Sequence, residues 1–548
     1  MLDGFAPYDA KDAERYDRLR WWLGMTWGDV LDKAADLYPD KVGLVDGVGR
    51  FTYGDLRRKV DRLAAGLLGL GLEKGDPVLL QLPNWHEYVL SFFALQKIGA
   101  VAVLLIPRHS QREVDHFAQL TGAKAWIGPV QYGKIDYEPL TDHVVRQNPG
   151  LKQVITVRGE WPGTSINLET LINRADAEEH ALQAVRDRRP DPTEVCQIMP
   201  TGGTTGMPKA SPRTHNDYLC NVEYHSRAWE ITSNDTLLVV TPVSHGMAMH
   251  WGIGGAFFNF ARLVLLDSTE PERICETIEA EKITAMPSVP AIVTRVVNLR
   301  NLSRYDLGSL RKVSVGGAPS TPELVKAVWT RIGCKYYNGL GSVEGTCAAT
   351  RTDDDIETIC YSVGRPICPY DTLKIIDPDG RELSHGTEGE LVSRGPGIFT
   401  GYFKSPEDNK NVFTGDGFFR TGDLAKKDER GYIYITGRIK DIVNRGGEKI
   451  SAGEIENLMA GHPAVESVAV IGMPDKVLGE RICAYVQLRA GKEATFEEIV
   501  AFLRERGASV LQLPERIEFI DALPLTNIGK VDKKALREAI KETVGWKE

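Results

Sequence analysis

The sequence predicts an α/β protein, with a large N-terminal domain of layered α/β subdomains followed by a small α+β C-terminal domain. Three observations lead there. Short apolar runs alternate with helix-length spans through most of the chain, the pattern of buried, mainly parallel strands. After Gly437 this alternation gives way to a compact mixed unit. The length, 548 residues, also exceeds what one hydrophobic core supports.

The clearest unit lies at residues 78–108. Residues 78–82 form an apolar run, His86 to Ile98 carry a helical pattern, and residues 101–106 are apolar again. Strand, helix and parallel strand are expected. Comparable runs recur at 237–240, 263–266, 283–286 and 313–315. The charged, Arg-rich stretch 175–191 reads as a solvated connector. Beyond Gly437, helices are expected over 453–460 and 496–506 and from Asp532, with strands near 465–471, 482–488 and 516–520. The boundary therefore falls between a domain of residues 1–437 and one of 438–548. The Gly446-Gly447 pair supports a hinge or turn beside it.

Composition narrows the class. The chain is 42% hydrophobic and 26% charged, with a net charge of −9. That excludes a general nucleic-acid binder and gives no basic footprint for an anionic membrane. The N-terminal residues lack a basic region followed by an apolar one, so no signal peptide is expected. The apolar stretch 252–266 is broken by Asn259 and Arg262, and no run reaches membrane-spanning length. The eight cysteines are dispersed without a Cys-x-x-Cys pair. Free buried thiols in a reducing cytoplasm are the expectation.

The most informative stretch is Met199-Pro-Thr-Gly-Gly-Thr-Thr-Gly-Met-Pro-Lys209-Ala-Ser-Pro-Arg-Thr-His215. Glycines without a Cβ, threonine hydroxyls and backbone N–H groups let such a loop wrap a polyphosphate, and Lys209 adds a cation at its rim. The Walker pattern requires Gly-Lys-Ser/Thr; here Lys209 follows Pro208 and precedes Ala210, so that reading fails. Standing alone, the loop could be a flexible surface segment.

It does not stand alone. Gly339-Leu-Gly-Ser-Val-Glu344, Arg420-Thr-Gly-Asp423-Leu424, Gly437-Arg-Ile-Lys-Asp-Ile-Val-Asn-Arg-Gly-Gly-Glu-Lys449 and Pro524-Leu-Thr-Asn-Ile-Gly-Lys530 follow it in order. In this set the chain resembles the adenylate-forming superfamily of acyl-CoA synthetases, luciferases and peptide-synthetase adenylation domains. Its motifs are most similar to those of the stand-alone 2,3-dihydroxybenzoate-type AMP ligases, and the resemblance spans nearly the whole chain.

The resemblance implies roles residue by residue. Thr201, Gly202, Gly203, Thr204, Thr205 and Lys209 would hold the ATP phosphates. Glu344, with Thr205, would bind Mg²⁺, a hard cation that prefers oxygen ligands. Gly316, Gly317, Ala318, Asn338, Gly339, Leu340, Gly341, Ser342 and Ile435 would line the adenine side. Leu340 stands where an aromatic residue usually stacks on the base. Asp423 would accept from the ribose hydroxyls, supported by Arg438. Lys530 would neutralise charge on the α-phosphate as pyrophosphate leaves. Lys440 would be the hinge of the small domain, and Gly446 and Gly447 would line a tunnel for the incoming thiol.

The acyl pocket departs from the catechol pattern. His245 opens it, with Gly246, Met247, Trp251 and Gly317. An Asn normally follows that His and a Ser comes five positions later; here Gly246 and Trp251 replace them, and Met247 replaces an aromatic residue. Catechol hydroxyls would be buried without partners, costing roughly 1–3 kcal/mol each. The expected substrate is an unsubstituted ring or a small alkyl or alkenyl acid. The expected enzyme is a carboxylic acid–CoA ligase using ATP and Mg²⁺, cytoplasmic, monomeric or homodimeric. The alternative is an aryl-acid–AMP ligase loading a separate carrier protein; a more distant one is a non-catalytic nucleotide-binding relative.

Overall fold

The computed structural model describes residues 2–161, 165–174, 179–201, 207–446, 448–526 and 531–546. Two large sheets build most of it. One has seven strands in the order Ala210–Thr214, Val195–Pro200, Val101–Leu104, Pro77–Leu80, Ala125–Pro129, Gln153–Val157, Ser165–Asn167. All pair in parallel except Ala210–Thr214, which returns antiparallel beside Val195–Pro200. Pro77–Leu80 and Val101–Leu104 are buried along their length, as expected of parallel strands covered on both faces. The intervening helix His86–Ile98 is buried throughout and stops at Gly99 (φ 72°). There a left-handed conformation closes the helix end without a Cβ clash.

The second sheet has nine strands, in the order Arg365–Pro366, Cys347–Ala349, Lys335–Gly341, Lys312–Val315, Ala285–Ser288, Thr236–Val239, Arg262–Leu265, Val42–Val45, Arg50–Thr52. The six from Lys335–Gly341 to Val42–Val45 are parallel. Open sheets of this kind bind ligands outside the carboxyl ends of their strands. Lys312–Val315 and Lys335–Gly341 deliver Gly316 and Gly341 to that edge. Helix His215–Ala228 contacts strand Cys347–Ala349 of this sheet. It starts on a capping box in which Thr214 and Asp217 bond each other's backbone N–H groups.

The stretch expected to be a solvated connector is partly a helix, Glu179–Asp187. Ala181 and Val185, four residues apart, share one face, and both join the core. Ala181 and Val185, at helical spacing, dock the helix.

A four-stranded antiparallel sheet, Thr372–Ile376, Gly389–Arg394, Phe419–Lys427 and Ile433–Arg438, follows. The last sheet begins at Ile442. It runs in the order Glu448–Ser451, Ile442–Arg445, Gly479–Leu488, Val465–Asp475, with Arg516–Phe519 parallel to Gly479–Leu488. Helices Ala452–Ala460, Phe496–Glu505 and Lys533–Thr543 cover it, and its apolar clusters are its own. Gly446 (φ 59°) turns the chain between Ile442–Arg445 and Glu448–Ser451. All eight cysteines are free and buried. Among the described residues no helix is long and apolar enough to cross a membrane.

Candidate active site

The phosphate-loop base is a closed ladder. Thr201 N–H donates to the Lys209 carbonyl at 2.9 Å, and Lys209 N–H donates to Thr201 Oγ1 at 3.0 Å. Gly202, Gly203, Thr204 and Thr205 lie outside the described residues, as do Gly447 and Lys530. Lys209 Nζ is 2.8 Å from Asp408 Oδ1 and 4.9 Å from the centre of the Tyr402 ring. Tyr402 OH donates to Glu344 Oε1 at 2.7 Å. Lys209 and Glu344, 135 positions apart in the chain, thus meet across one aromatic ring. Sequence reasoning missed Tyr402, which lies 58 residues from its partner with no local pattern to mark it. Burial, then the Glu344 charge, holds its phenol well above the ordinary range, so it stays a neutral donor.

Glu344 is only 9% exposed. Among the described residues no donor reaches its second oxygen, Oε2. A buried carboxylate with one oxygen fixed and one available suits a hard cation shared with phosphate oxygens.

Behind Glu344 lies a buried polar network. Arg213, 1% exposed, pairs with Asp217 at 2.8 Å. Its other nitrogens donate to the carbonyls of Val343 at 3.0 Å and Gly397 at 2.8 Å. Val343 immediately precedes Glu344, and Phe399 N–H donates to the Glu344 carbonyl at 2.8 Å. Tyr8 OH contacts Asp217 Oδ2 at 3.0 Å and the Ile398 carbonyl at 2.5 Å, while the Trp22 indole N–H donates to the Pro396 carbonyl at 2.9 Å. Asn221 donates to the Gly345 and Gly397 carbonyls. Gly345 (φ 103°) admits no side chain, since a Cβ would sit 2.0 Å from the Gly397 carbonyl oxygen. Asp371 accepts from Gly397 N–H at 3.1 Å, and burial lifts its carboxyl to about 7.

On the nucleotide side, Asp423 and Arg438 face each other across adjacent strands, with Arg438 Nε donating to Asp423 Oδ1 at 2.7 Å. Asp423 is 6% exposed. Leu340 and Ile435 flank one apolar cluster, so these two predicted adenine-side residues come together. Gly317 (φ 83°) and Ala318 are exposed at the strand end. Asn338 is committed to the scaffold: its amide donates to the Ser362 carbonyl at 2.9 Å. Ser342 Oγ is buried without a partner. Lys440 is an exposed residue beside the Asp423–Arg438 pair, and desolvation of its ammonium, then Arg438, lowers it. Asp423→Ala would remove the charged acceptor expected for the ribose, each such bond being worth roughly 1.5–3 kcal/mol. ATP affinity measured by calorimetry should fall at least roughly tenfold; an unchanged affinity rules out the ribose role.

The acyl-pocket residues cluster as well. A Cβ on Gly246 would lie 3.5 Å from Val343 and 3.6 Å from Met199; one on Gly317 would lie 3.8 Å from Val289 and 4.0 Å from Met247. These side chains form an apolar rim, with His245 half-buried at its edge. Trp251 sits deeper, 5% exposed. Its benzo edge would be 3.0 Å from a Cβ on Gly316, 3.2 Å from one on Gly339 and 3.6 Å from one on Gly341. The three glycines leave a recess that the indole fills. Trp251 lies in a π-helix, Ala248–Gly254, a widened helix found mostly at functional sites.

The predicted site residues that the structure describes thus include a buried carboxylate beside a lysine and an acidic residue paired with an arginine across adjacent strands. The chain belongs to the AMP-binding enzymes: the family of that description matches residues 31–403, and its C-terminal domain matches residues 454–530. It is similar over 99% of its length to the 2,3-dihydroxybenzoate-AMP ligase of Bacillus subtilis (strain 168), at 38% identity and covering 98% of that protein. The salicyl-AMP ligase / salicyl-S-ArCP synthetase of Mycobacterium tuberculosis H37Rv is 36% identical, over 98% of this chain and 94% of its own. The 2-hydroxy-7-methoxy-5-methyl-1-naphthoate–CoA ligase of Streptomyces carzinostaticus is 35% identical, over 98% of this chain and 97% of its own.

Proposed function

We propose that the chain is an aryl-acid–AMP ligase: it joins an aromatic carboxylic acid to AMP and passes the acyl group to the thiol of a separate carrier protein. The observation that carries the reading is the meeting of Lys209, Tyr402 and Glu344 behind the phosphate loop, beside an apolar pocket rimmed by Met199, Gly246, Met247 and Val343. The near-full-length likeness to AMP ligases of aromatic acids supports the substrate class.

In the first half-reaction a carboxylate oxygen attacks the α-phosphorus, an acyl–phosphate bond forms, and the bond to pyrophosphate breaks. Lys209 and the loop hold the outer phosphates. Glu344, oriented by Tyr402 and by the Arg213 network, would hold Mg²⁺, which supplies positive charge to the phosphates when bound. Asp423 and Arg438 position the ribose, and the apolar rim excludes water from the acyl carbon. In the second half-reaction the thiol sulfur attacks that carbon, AMP leaves with its oxygen, and the thiol proton is released. A rotation of residues 438–548 about Lys440, bringing Gly446 and Gly447 to the pocket, would serve this step.

Coenzyme A as acceptor, the reading first expected from the missing catechol contacts, keeps support from the CoA ligase among the relatives. The test is acid-dependent ATP–pyrophosphate exchange, followed by acyl transfer to coenzyme A or to an aryl carrier protein in parallel. Exchange with transfer to the carrier alone is the expected result; efficient transfer to coenzyme A overturns the acceptor assignment. At the pocket rim, 2,3-dihydroxybenzoate should react more slowly than benzoate, and Gly246→Asn should reverse the order in kcat/KM. A wild-type preference for the dihydroxy acid contradicts this assignment of the rim.

A further inference from the structure

Below the apolar rim, the pocket floor rests on a buried polar layer that nothing in the adenylation site uses. Trp251 touches His225 at 4.4 Å and Trp229 at 4.5 Å between ring centres, edge to face. His225 in turn contacts His250 at 4.8 Å and Trp229 at 3.8 Å. The rings form one cluster, and four of its polar atoms lack partners. Both ring nitrogens of His225, Nε2 of His250 and Nε1 of Trp229 are buried without a hydrogen bond. His225 and Trp229 are each 3% exposed and His250 is 8%.

Such atoms are costly to leave bare, at roughly 1–3 kcal/mol each. Simple packing does not account for them, because Phe or Leu would fill the same volume without the penalty. Burial, then the neighbouring His250, holds the His225 imidazole well below its ordinary range. Burial also lowers His250 to about 4. Both rings are therefore neutral; His250 uses one nitrogen on the Asn221 backbone, so of the two it is His225 that offers both a donor and an acceptor. Helix His215–Ala228 carries His225, and the π-helix Ala248–Gly254 carries both His250 and Trp251. Gly252, Gly254 and Gly255 follow the indole directly. Trp251, on this irregular, glycine-rich helix, thus lies between the recess of Gly316, Gly339 and Gly341 and the polar layer.

We infer that this layer is the inner end of the acyl pocket, and that the natural acid carries a neutral hydrogen-bonding group on the ring positions remote from its carboxylate, which Trp251 admits to His225. A hydroxyl or amino group there would give His225 a partner. An ortho hydroxyl would face Gly246 at the rim and gain nothing. The inference rests on the adenylation reading and names its substrate class: para-substituted hydroxy- or aminobenzoates.

The measurement is kcat/KM for acid-dependent ATP–pyrophosphate exchange with benzoate, 2-hydroxybenzoate, 4-hydroxybenzoate and 4-aminobenzoate, using the full chain. The expected result is a preference of at least roughly tenfold for the 4-substituted acids over benzoate, because binding them without the polar partner forfeits a buried hydrogen bond. His225→Phe should bring the ratio of 4-hydroxybenzoate to benzoate close to one, and His225→Asn should keep part of it. Trp251→Ala should raise the ratio by opening the polar layer. Should His225→Phe not fold, His225→Asn and Trp251→Ala still report the ratio. Equal rates with benzoate and the 4-substituted acids, or a preference that survives His225→Phe, overturns the inference and leaves the layer as a site of trapped water. Exchange with no acid at all overturns instead the adenylation reading on which it stands.

Discussion

Lys530→Ala abolishes acyl-AMP formation and leaves acyl transfer from supplied acyl-AMP intact: this is the largest effect expected of any single substitution. As pyrophosphate departs, negative charge gathers on the α-phosphate, and a positioned ammonium stabilises that charge only in the transition state. Loss of one such preorganised group costs roughly 10²–10³ in rate. Lys530 itself lies outside the described residues, and its role rests on the segment Pro524-Leu-Thr-Asn-Ile-Gly-Lys530. Thioester formation requires no charge at that phosphate. Pyrophosphate exchange and single-turnover transfer, measured on one preparation, separate the two steps. Equal losses in both, with the fold intact, defeat the assignment of this lysine to the first half-reaction alone.

The second large effect is on stability. Arg213→Met removes the only cation pairing with Asp217 among the described residues, and both partners are 1% exposed. An unpaired buried charge costs about 3–5 kcal/mol. The carbonyls of Val343 and Gly397 lose donors at the same time. Denaturant unfolding should show the loss directly. Adenylation should fall beyond what unfolding explains, because Val343 sets the backbone that presents Glu344. The double variant Arg213→Met/Asp217→Leu should recover part of the stability and none of the activity. A loss under about 1 kcal/mol in the single variant would falsify the view that this pair anchors the site.

The elements of the fold that rest on local pattern were legible in the sequence. The helix predicted from His86 to Ile98 is His86–Ile98, and the final helix predicted from Asp532 is Lys533–Thr543 with Asp532 as its cap. Period and capping residues carry that information within one element. The Gly446 turn was equally visible, because its glycines advertise the backbone they permit. Several site features were not. Tyr402 on Glu344, Arg213 on Gly397 and His225 on Trp251 are contacts across different elements, and no spacing rule reports them. The polar character of the pocket floor was hidden for the same reason. Gly246, Met247 and Trp251 form one short segment and read as apolar, whereas His225 arrives from helix His215–Ala228. The helix Glu179–Asp187 was missed because its charges outnumber the two apolar residues that dock it.

The contacts of Tyr8 and Trp22 bear on how the protein is made. Their partners Ile398 and Pro396 lie 390 and 374 residues further along the chain. A growing chain cannot make these two hydrogen bonds until the segment 396–398 has been synthesised. Contacts of such sequence separation form late, after the loop-closure entropy has been met by other structure. The residues that brace the backbone around Glu344 are thus translated long before the segment they fasten. They also precede position 31, where the shared family region begins. A chain begun at position 31 would keep every residue assigned to chemistry and lose the clasp that holds the Pro396–Phe399 turn in place.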